Sequence, residues 1–261
     1  MKPVPRRDPP SIDVVWVPSE LDRIDLPECS VSVIDVIRAT TSIVTALESG
    51  AASVVPAATE IEARQVYETL PAGTTLLCGE ERGVRIEGYD LGNSPHEYTP
   101  TAVEGKHLVY RTTNGTPAMR RALAGSTLRL ACFRNAGVVS RALAEDLVAG
   151  STPGGAVLVC SGRAGRVSMD DAWCAGHLVE RLRARTPECR LTDAAQAASG
   201  FARSLGNPTP GRLADTSAGR ALGTLGLAGD LELCADVDGS RVVPTWRAGA
   251  FVREADEPKG G

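Results

Sequence analysis

The sequence predicts an α/β protein: a three-layer α/β/α arrangement with a largely parallel or mixed sheet, in which strand-loop-helix units converge on one edge. Three observations carry this reading. Short runs of Val, Ile and Leu recur without polar alternation, as strands covered on both faces require. Segments with helical spacing separate these runs. Glycine closes several of the helical segments, in the place a helix C-terminus favours.

In chain order the strand-like runs are IDVVWV (12–17), VSVIDV (31–36), ASVVPA (52–57), TLLCGE (75–80), HLVYRT (107–112), TLRLAC (127–132) and AVLVCS (156–161). Between them lie the helix-like TTSIVTALESG, EIEARQVYETL, TPAMRRALAG, NAGVVSRALAEDLVAG and MDDAWCAGHLVERLRAR. The alternation is regular to about Arg185. Two more helix-like stretches follow, LTDAAQAASGFARSLG and AGRALGTLG, and then DLELCADVD (230–238) and RVVPTW (241–246), which read as a closing strand pair. Residues 1–11 read as a disordered lead, because no apolar stretch follows the basic residues to make a secretion signal. Residues 12–253 read as one α/β domain; a division into two lobes would fall near 185–210, where the alternation ends. Residues 254–261 read as a disordered tail.

Of the 261 residues, 43% are hydrophobic and 23% charged, which is ordinary for a globular domain. No apolar run approaches the roughly 18 residues of a membrane span, so no membrane partner is expected. A formal charge of −4 and 4% aromatic residues give neither the basic footprint nor the stacking platform of a nucleic-acid binder. The seven cysteines are scattered, with no CxxC and no His/Cys cluster, which argues for reduced thiols and a cytoplasmic location. A homodimer is the base-rate expectation.

Three strand ends share one chemistry. VIDVIRATTSIVTAL runs from a strand through Arg38, Thr40 and Thr41 into a helix. YRTTNGTPAM repeats the pattern with Arg111, Thr112, Thr113 and Asn114. VLVCSGRAGRVSMDDAWCAG passes through Gly162 in a Gly/Ser/Arg loop. Beyond the carboxyl ends of parallel strands lies the usual ligand crevice of an open α/β sheet. Helix N-termini, hydroxyls and arginines together suit an anion. The competing reading is that each Thr or Ser is a helix cap. No GxxxxGK[ST] or GxGxxG is present, so a P-loop or dinucleotide site lacks its signature.

Asp35 stands in an otherwise apolar run, where an ionised carboxylate needs a partner such as Arg38 or a metal. Glu80 and Glu81 follow TLLC, and Asp170 and Asp171 open the helix after the third loop; acids at that place also serve the helix dipole. Carboxylates beside an anionic ligand would suit Mg²⁺. A rival mechanism rests on Cys160 to Arg166, the C-x5-R spacing of cysteine-dependent phosphatases, with Cys160 as nucleophile. Val159 and Val167 replace the flanking residues that pattern usually has. A haloacid-dehalogenase-type reading of Asp35 is weaker, because Ile37 stands where that pattern has a second aspartate. A non-catalytic binder of small anionic metabolites, built from the same loops, is the alternative outside catalysis.

Taken together, VIDVIRATTSIVTALESGA, GEERGVRIEGYDLGNSPHEYTP, RTTNGTPAM, SMDDAWCAG and DLELCADVDGSRVVP resemble the 2-phosphosulfolactate phosphatase family, in order over most of the chain. The resemblance implies a three-layer α/β fold and a Mg²⁺-dependent phosphoric monoester hydrolase that converts (2R)-phospho-3-sulfolactate to 3-sulfolactate and phosphate. In methanogens that step belongs to coenzyme M biosynthesis. The site residues it suggests are Asp35, Arg38, Arg111 and Asp171 for catalysis, with Asp35, Glu80 and Asp171 holding the metal. Thr40, Thr41, Thr112, Thr113, Asn114, Asn93, Ser94 and Gly162 would surround the substrate. Two departures stand out: the family's GERGG is GEERG here, placing Glu81 at its arginine and Arg82 at a glycine, and its SLED is Ser168-Met169-Asp170-Asp171.

Overall fold

Side-chain alternation along the apolar runs divides the core into layers. The computed structural model describes residues 9–254. Its strands are β1 (Ser11–Val15), β2 (Cys29–Ile34), β3 (Ser53–Pro56), β4 (Thr75–Glu81), β5 (Val84–Arg85), β6 (His107–Arg111), β7 (Thr127–Ala131), β8 (Gly155–Cys160), β9 (Arg190–Leu191), β10 (Pro244–Arg247) and β11 (Ala250–Arg253). They form one sheet of 11 strands in the order β5-β4-β6-β3-β11-β10-β7-β2-β8-β1-β9. Two parallel blocks, β4-β6-β3 and β7-β2-β8-β1-β9, are joined by the antiparallel hairpin β10–β11. The sheet is therefore mixed, and the mixture comes from its seam and from the short β5.

The helices are α1 (Ala39–Glu48), α2 (Glu60–Thr69), α3 (Pro100–Val103), α4 (Gly115–Arg121), α5 (Ala136–Val148), α6 (Met169–Arg185), α7 (Asp193–Leu205), α8 (Pro210–Ala214), α9 (Ser217–Thr224) and α10 (Asp230–Cys234). Val31 and Val33 of β2, with Val157 and Val159 of β8, face Ile43 of α1 and Met119 of α4. Ile34, Leu158 and Cys160 face the other way, onto Leu143 of α5 and Trp173 and Leu178 of α6. A third cluster, with Leu77 of β4 and Val109 of β6, is covered by Ala63 of α2. Each fully buried Val, Leu or Ile contributes about 1.5–3 kcal/mol, so both helical layers are firmly seated. Gly176 lets α6 approach the Ala198 carbonyl of α7, where a Cβ would have no room.

Three sequence expectations are corrected. DLELCADVD is not a strand: Asp230–Cys234 is helix α10, and its buried Leu231 and Cys234 recur with helical rather than two-residue spacing. The closing strand pair is instead PTWR with AFVR, turned through Ala248 and Gly249 at φ 49° and 91°, the double positive φ of a two-residue hairpin loop. The expected lead and tail each overlap an ordered residue. Ser11 opens β1, and Glu254 donates its N–H to the Val243 carbonyl at 3.1 Å; the remainder of the expected lead through Asp8 and of the tail from Ala255 lies outside the described residues. Around 185–210, β9 pairs with β1 and α7 packs on α6, continuous with the rest of the sheet and its helical cover. No helix among the described residues is long and apolar enough to cross a membrane.

Candidate active site

The β2–α1 turn is built around Asp35. The Asp35 N–H donates to Thr40 Oγ1 at 3.1 Å, the Thr40 hydroxyl donates to the Asp35 carbonyl at 2.8 Å, and Ala39 N–H donates to Asp35 Oδ1 at 3.2 Å. The Thr41 hydroxyl donates to the Val36 carbonyl at 2.8 Å. Both threonine hydroxyls are buried in these bonds and lock the turn from within the first turn of α1; neither is the helix cap, since the N-cap position is Arg38 and makes no side-chain capping bond. Within the turn the Ile37–Arg38 peptide bond is cis.

Two further carboxylates hold the turn from behind. Asp171 Oδ1 accepts the Val36 N–H at 2.9 Å, while its Oδ2 accepts the Ser161 hydroxyl at 3.1 Å and the Gly162 N–H at 3.0 Å. Asp170 Oδ1 accepts the Ser168 hydroxyl at 2.5 Å. Burial pushes Asp35 up from 3.8 to about 7; the Ala39 hydrogen bond opposes this and the Asp170 charge adds to it. Burial also raises Asp170, against the Ser168 hydrogen bond. Asp171 is raised well above the carboxylate range, by burial first and then by the charges of Asp170 and Asp35.

Arg38 does not compensate these acids. Its Nη1 donates to Asp230 Oδ2 at 2.8 Å and its Nη2 to the Gly83 carbonyl at 2.7 Å. Asp230, from α10, also accepts the Ser94 hydroxyl at 2.6 Å on Oδ1. The side chains of both ion-pair partners are 4% exposed, so the pair is a buried tie between α10 and the strand ends. Asp230 was missed in the sequence because DLELC reads as a strand; an acid in an apolar stretch, the signal that exposed Asp35, was present there too.

The RTTNGT loop braces the site. Glu80 Oε1 accepts the Thr113 N–H at 2.7 Å and Glu80 Oε2 the Thr113 hydroxyl at 3.2 Å, with the Gly83 N–H also on Oε2 at 2.5 Å. Thr113 Oγ1 accepts the Arg82 N–H at 3.2 Å, and Asn114 Oδ1 accepts the Ala164 N–H at 3.2 Å. This loop thus grips the β4–β5 turn on one side and the β8–α6 loop on the other. Thr112 is engaged locally, its Oγ1 accepting Thr116 N–H at 3.1 Å. Gly115 opens α4 against Asp35: a Cβ there would lie 2.6 Å from Asp35 Oδ2.

These loops enclose a cavity of about 240 Å³. Asp35, Arg38, Glu80, Arg82, Asn93, Thr113, Asn114 and Arg163 supply its polar lining, and Ala218, Ala221, Leu222 and Leu225 from and beside α9 supply an apolar wall. All three strand-end loops therefore reach one cavity. Asn93 is fixed there by the Tyr110 hydroxyl, donating to Oδ1 at 2.5 Å, and by the Ser42 hydroxyl, donating to its carbonyl at 2.8 Å. Arg163 was not singled out as a site residue in the sequence; its place in the Gly/Ser/Arg loop after β8 was the available signal.

Several expected residues lie elsewhere. Thr40, Thr41, Thr112, Ser94, Gly162 and Asp171 stand behind the lining, bonded as described. Arg111 points to the α2 side of β6, the face of Val109, because alternation sends Tyr110 the other way. Its Nη2 lies 3.6 Å from Glu81 Oε1, the carboxylate that stands at the arginine position of the GERGG pattern. Cys160 is wholly buried in the α5–α6 core, and burial with the Asp171 charge raises its thiol well above the ordinary value. A phosphatase thiolate needs the opposite shift, so the Cys160 mechanism is set aside.

Asp35 and Glu80 are the two carboxylates that line the cavity. Asp35 has no guanidinium partner, since Arg38 is taken by Asp230; a buried, uncompensated acid beside a second carboxylate is a donor set that fits a hard divalent cation. Among the described residues no three His, Cys, Asp or Glu side chains form a closed metal centre. Mg²⁺ asks for less, one or two carboxylates completed by water and substrate oxygens.

Comparison with known proteins gives one answer. Residues 15–249 match the family model described as 2-phosphosulpholactate phosphatase. A Deinococcus radiodurans protein named "Probable 2-phosphosulfolactate phosphatase" is 41% identical over 219 residues, 82% of this chain and 85% of that protein. Proteins of the same name from Caldanaerobacter subterraneus and Thermotoga petrophila are each 36% identical, covering 86% and 92% of this chain and 90% and 97% of their own lengths. With the fold, the strand-end loops and the matched span in agreement, the chain belongs to the 2-phosphosulpholactate phosphatase family.

Proposed function

We propose that this protein is a Mg²⁺-dependent phosphoric monoester hydrolase acting on (2R)-phospho-3-sulfolactate or a closely related phosphorylated 2-hydroxy acid. The observation that carries the reading is the cavity itself, where Asp35, Glu80 and Arg163 meet from the ends of three different strands. Asp35 and Glu80 would hold Mg²⁺, which when bound would neutralise charge on the phosphoryl oxygens. Arg163 supplies a cation to the lining, on a loop that Asp171 ties to the Asp35 turn through the Gly162 and Val36 N–H groups. Phosphoryl oxygens lodged there meet fixed charge, and preorganised charge is the main way such sites lower the barrier to attack by water. Thr113 and Asn114 keep the loops from separating. The α9 wall covers the carbon skeleton and limits access of bulk water.

A panel of phosphate monoesters assayed with Mg²⁺ and with EDTA tests this. Phosphate release from 2-phosphosulfolactate with Mg²⁺, abolished by EDTA, is the expected result. Saturable binding without release from any ester would instead make the chain a binder of small anions.

A further inference from the structure

We infer that Arg82 is a specificity-determining residue: it recognises a second acid group of the substrate, a sulfonate or carboxylate that is not transferred. The inference rests on the phosphomonoesterase reading above for the identity of the first anionic group.

Three arginines line the cavity, Arg38, Arg82 and Arg163. Arg38 is fixed on Asp230 and the Gly83 carbonyl. Arg82 and Arg163 make no side-chain hydrogen bond or ion pair among the described residues. Arg163 follows Gly162, whose N–H is held by the same Asp171 carboxylate that accepts the Val36 N–H beside Asp35, and so belongs to the phosphoryl end. Arg82 stands on the β4–β5 turn, where the cavity adjoins an open groove lined by Arg82, Arg64, Glu81 and Arg85. It is thus the cation left over once a phosphoryl group has been placed.

The backbone supports the assignment. Arg82 has φ 52°, a left-handed conformation that glycine adopts more readily than any L-residue. Glycine is also what the family's GERGG pattern has at that position. An arginine kept there against backbone preference is a strained residue lining a site, the arrangement from which function is properly inferred. Its N–H is pinned to Thr113 Oγ1 at 3.2 Å, so the turn is held to the loop that also grips the Arg163 side of the cavity. Next to it, Leu225 closes over Gly83, where a Cβ would lie 2.6 Å from the Leu225 Cδ1. A short carbon chain lying along this wall would carry a second anion towards Arg82, and a guanidinium can grip two oxygens of a carboxylate or of a sulfonate through paired N–H groups.

Arg82→Gly is the informative variant because the turn favours glycine; a melting temperature at or above wild type confirms an intact fold. The substrates are 2-phosphosulfolactate, 2-phospholactate, which lacks the sulfonate, and glycerol 2-phosphate, which lacks both acids. In the variant, kcat/KM for 2-phosphosulfolactate relative to glycerol 2-phosphate should fall about tenfold or more, as loss of a charge-assisted contact predicts, with partial recovery in Arg82→Lys. A parallel fall for 2-phospholactate identifies the carboxylate; no such fall identifies the sulfonate. If the three esters shift together, or none shifts, the assignment is overturned. Should the wild type hydrolyse no ester, the phosphatase reading fails by itself, and calorimetric titration with 3-sulfolactate decides the role of Arg82. Binding weakened about tenfold in Arg82→Gly sustains it; equal binding, or none to the wild type, ends it.

Discussion

Asp35 is the residue on which the site turns, and its acidity can be tested apart from turnover. Burial raises its pKa from 3.8 to about 7, so the folded protein holds this proton more tightly than the unfolded chain. The stability that follows is complete below about pH 3.8 and is lost as pH rises through about 7. Replacing Asp35 with Asn removes the ionisation. In EDTA the variant should therefore melt above wild type by an amount that widens between pH 5 and pH 8, on the order of several degrees, while phosphate release with Mg²⁺ disappears. A constant difference in melting temperature would contradict the burial argument; full activity would remove Asp35 from the chemistry. Asp35 was legible in the sequence because a lone acid in an apolar run has few explanations. Arg111 was misplaced because the reading followed the motif and ignored strand alternation, which sends it to the α2 side with Val109. The Thr-Thr pairs were legible as polar, but their hydroxyls bond to backbone and carboxylate groups of the protein itself, and only coordinates distinguish such a bond from a ligand contact.

Among the elements, α10 is short, yet it fastens the C-terminal helices to the strand ends through Asp230 and Arg38. Both side chains are 4% exposed, so removing one charge leaves the other buried and unpaired. Asp230→Asn should cost about 3–5 kcal/mol in urea unfolding and lower activity by loosening the wall around Leu222 and Leu225. The double variant Arg38→Met, Asp230→Leu should regain much of the stability and little of the activity. Recovery of both would show that the pair only packs. The long alternating elements were legible in the sequence from β1 through α6, because continuous apolar strands and helical stripes are strong signals. The end of the chain was not: α10 has a single turn's worth of apolar spacing, and β11 consists of four residues whose strand state depends on the hairpin turn at Ala248 and Gly249.

Across the whole molecule, the hairpin β10–β11 occupies the seam between two parallel blocks, touching β7 through Thr245 and Arg129 and β3 through Phe251 and Val54. Phe251 is fully buried against Trp246, ring centroids 5.2 Å apart. Phe251→Ala should destabilise by about 3–5 kcal/mol, lowering the melting temperature by about 10 °C; a shift under about 2 °C would mean that the seam carries little of the fold's stability. The cavity straddles this seam. Asp35 and Arg163 follow β2 and β8 in one block, whereas Glu80, Thr113 and Asn114 come from or follow β4 and β6 in the other. During synthesis the strands of both blocks leave the ribosome before the hairpin that joins them, so each block waits with an open strand edge, β3 or β7, for the last segment to arrive. A nascent chain halted before Ala250 has every residue of the cavity and still lacks the strand that completes the sheet beneath it.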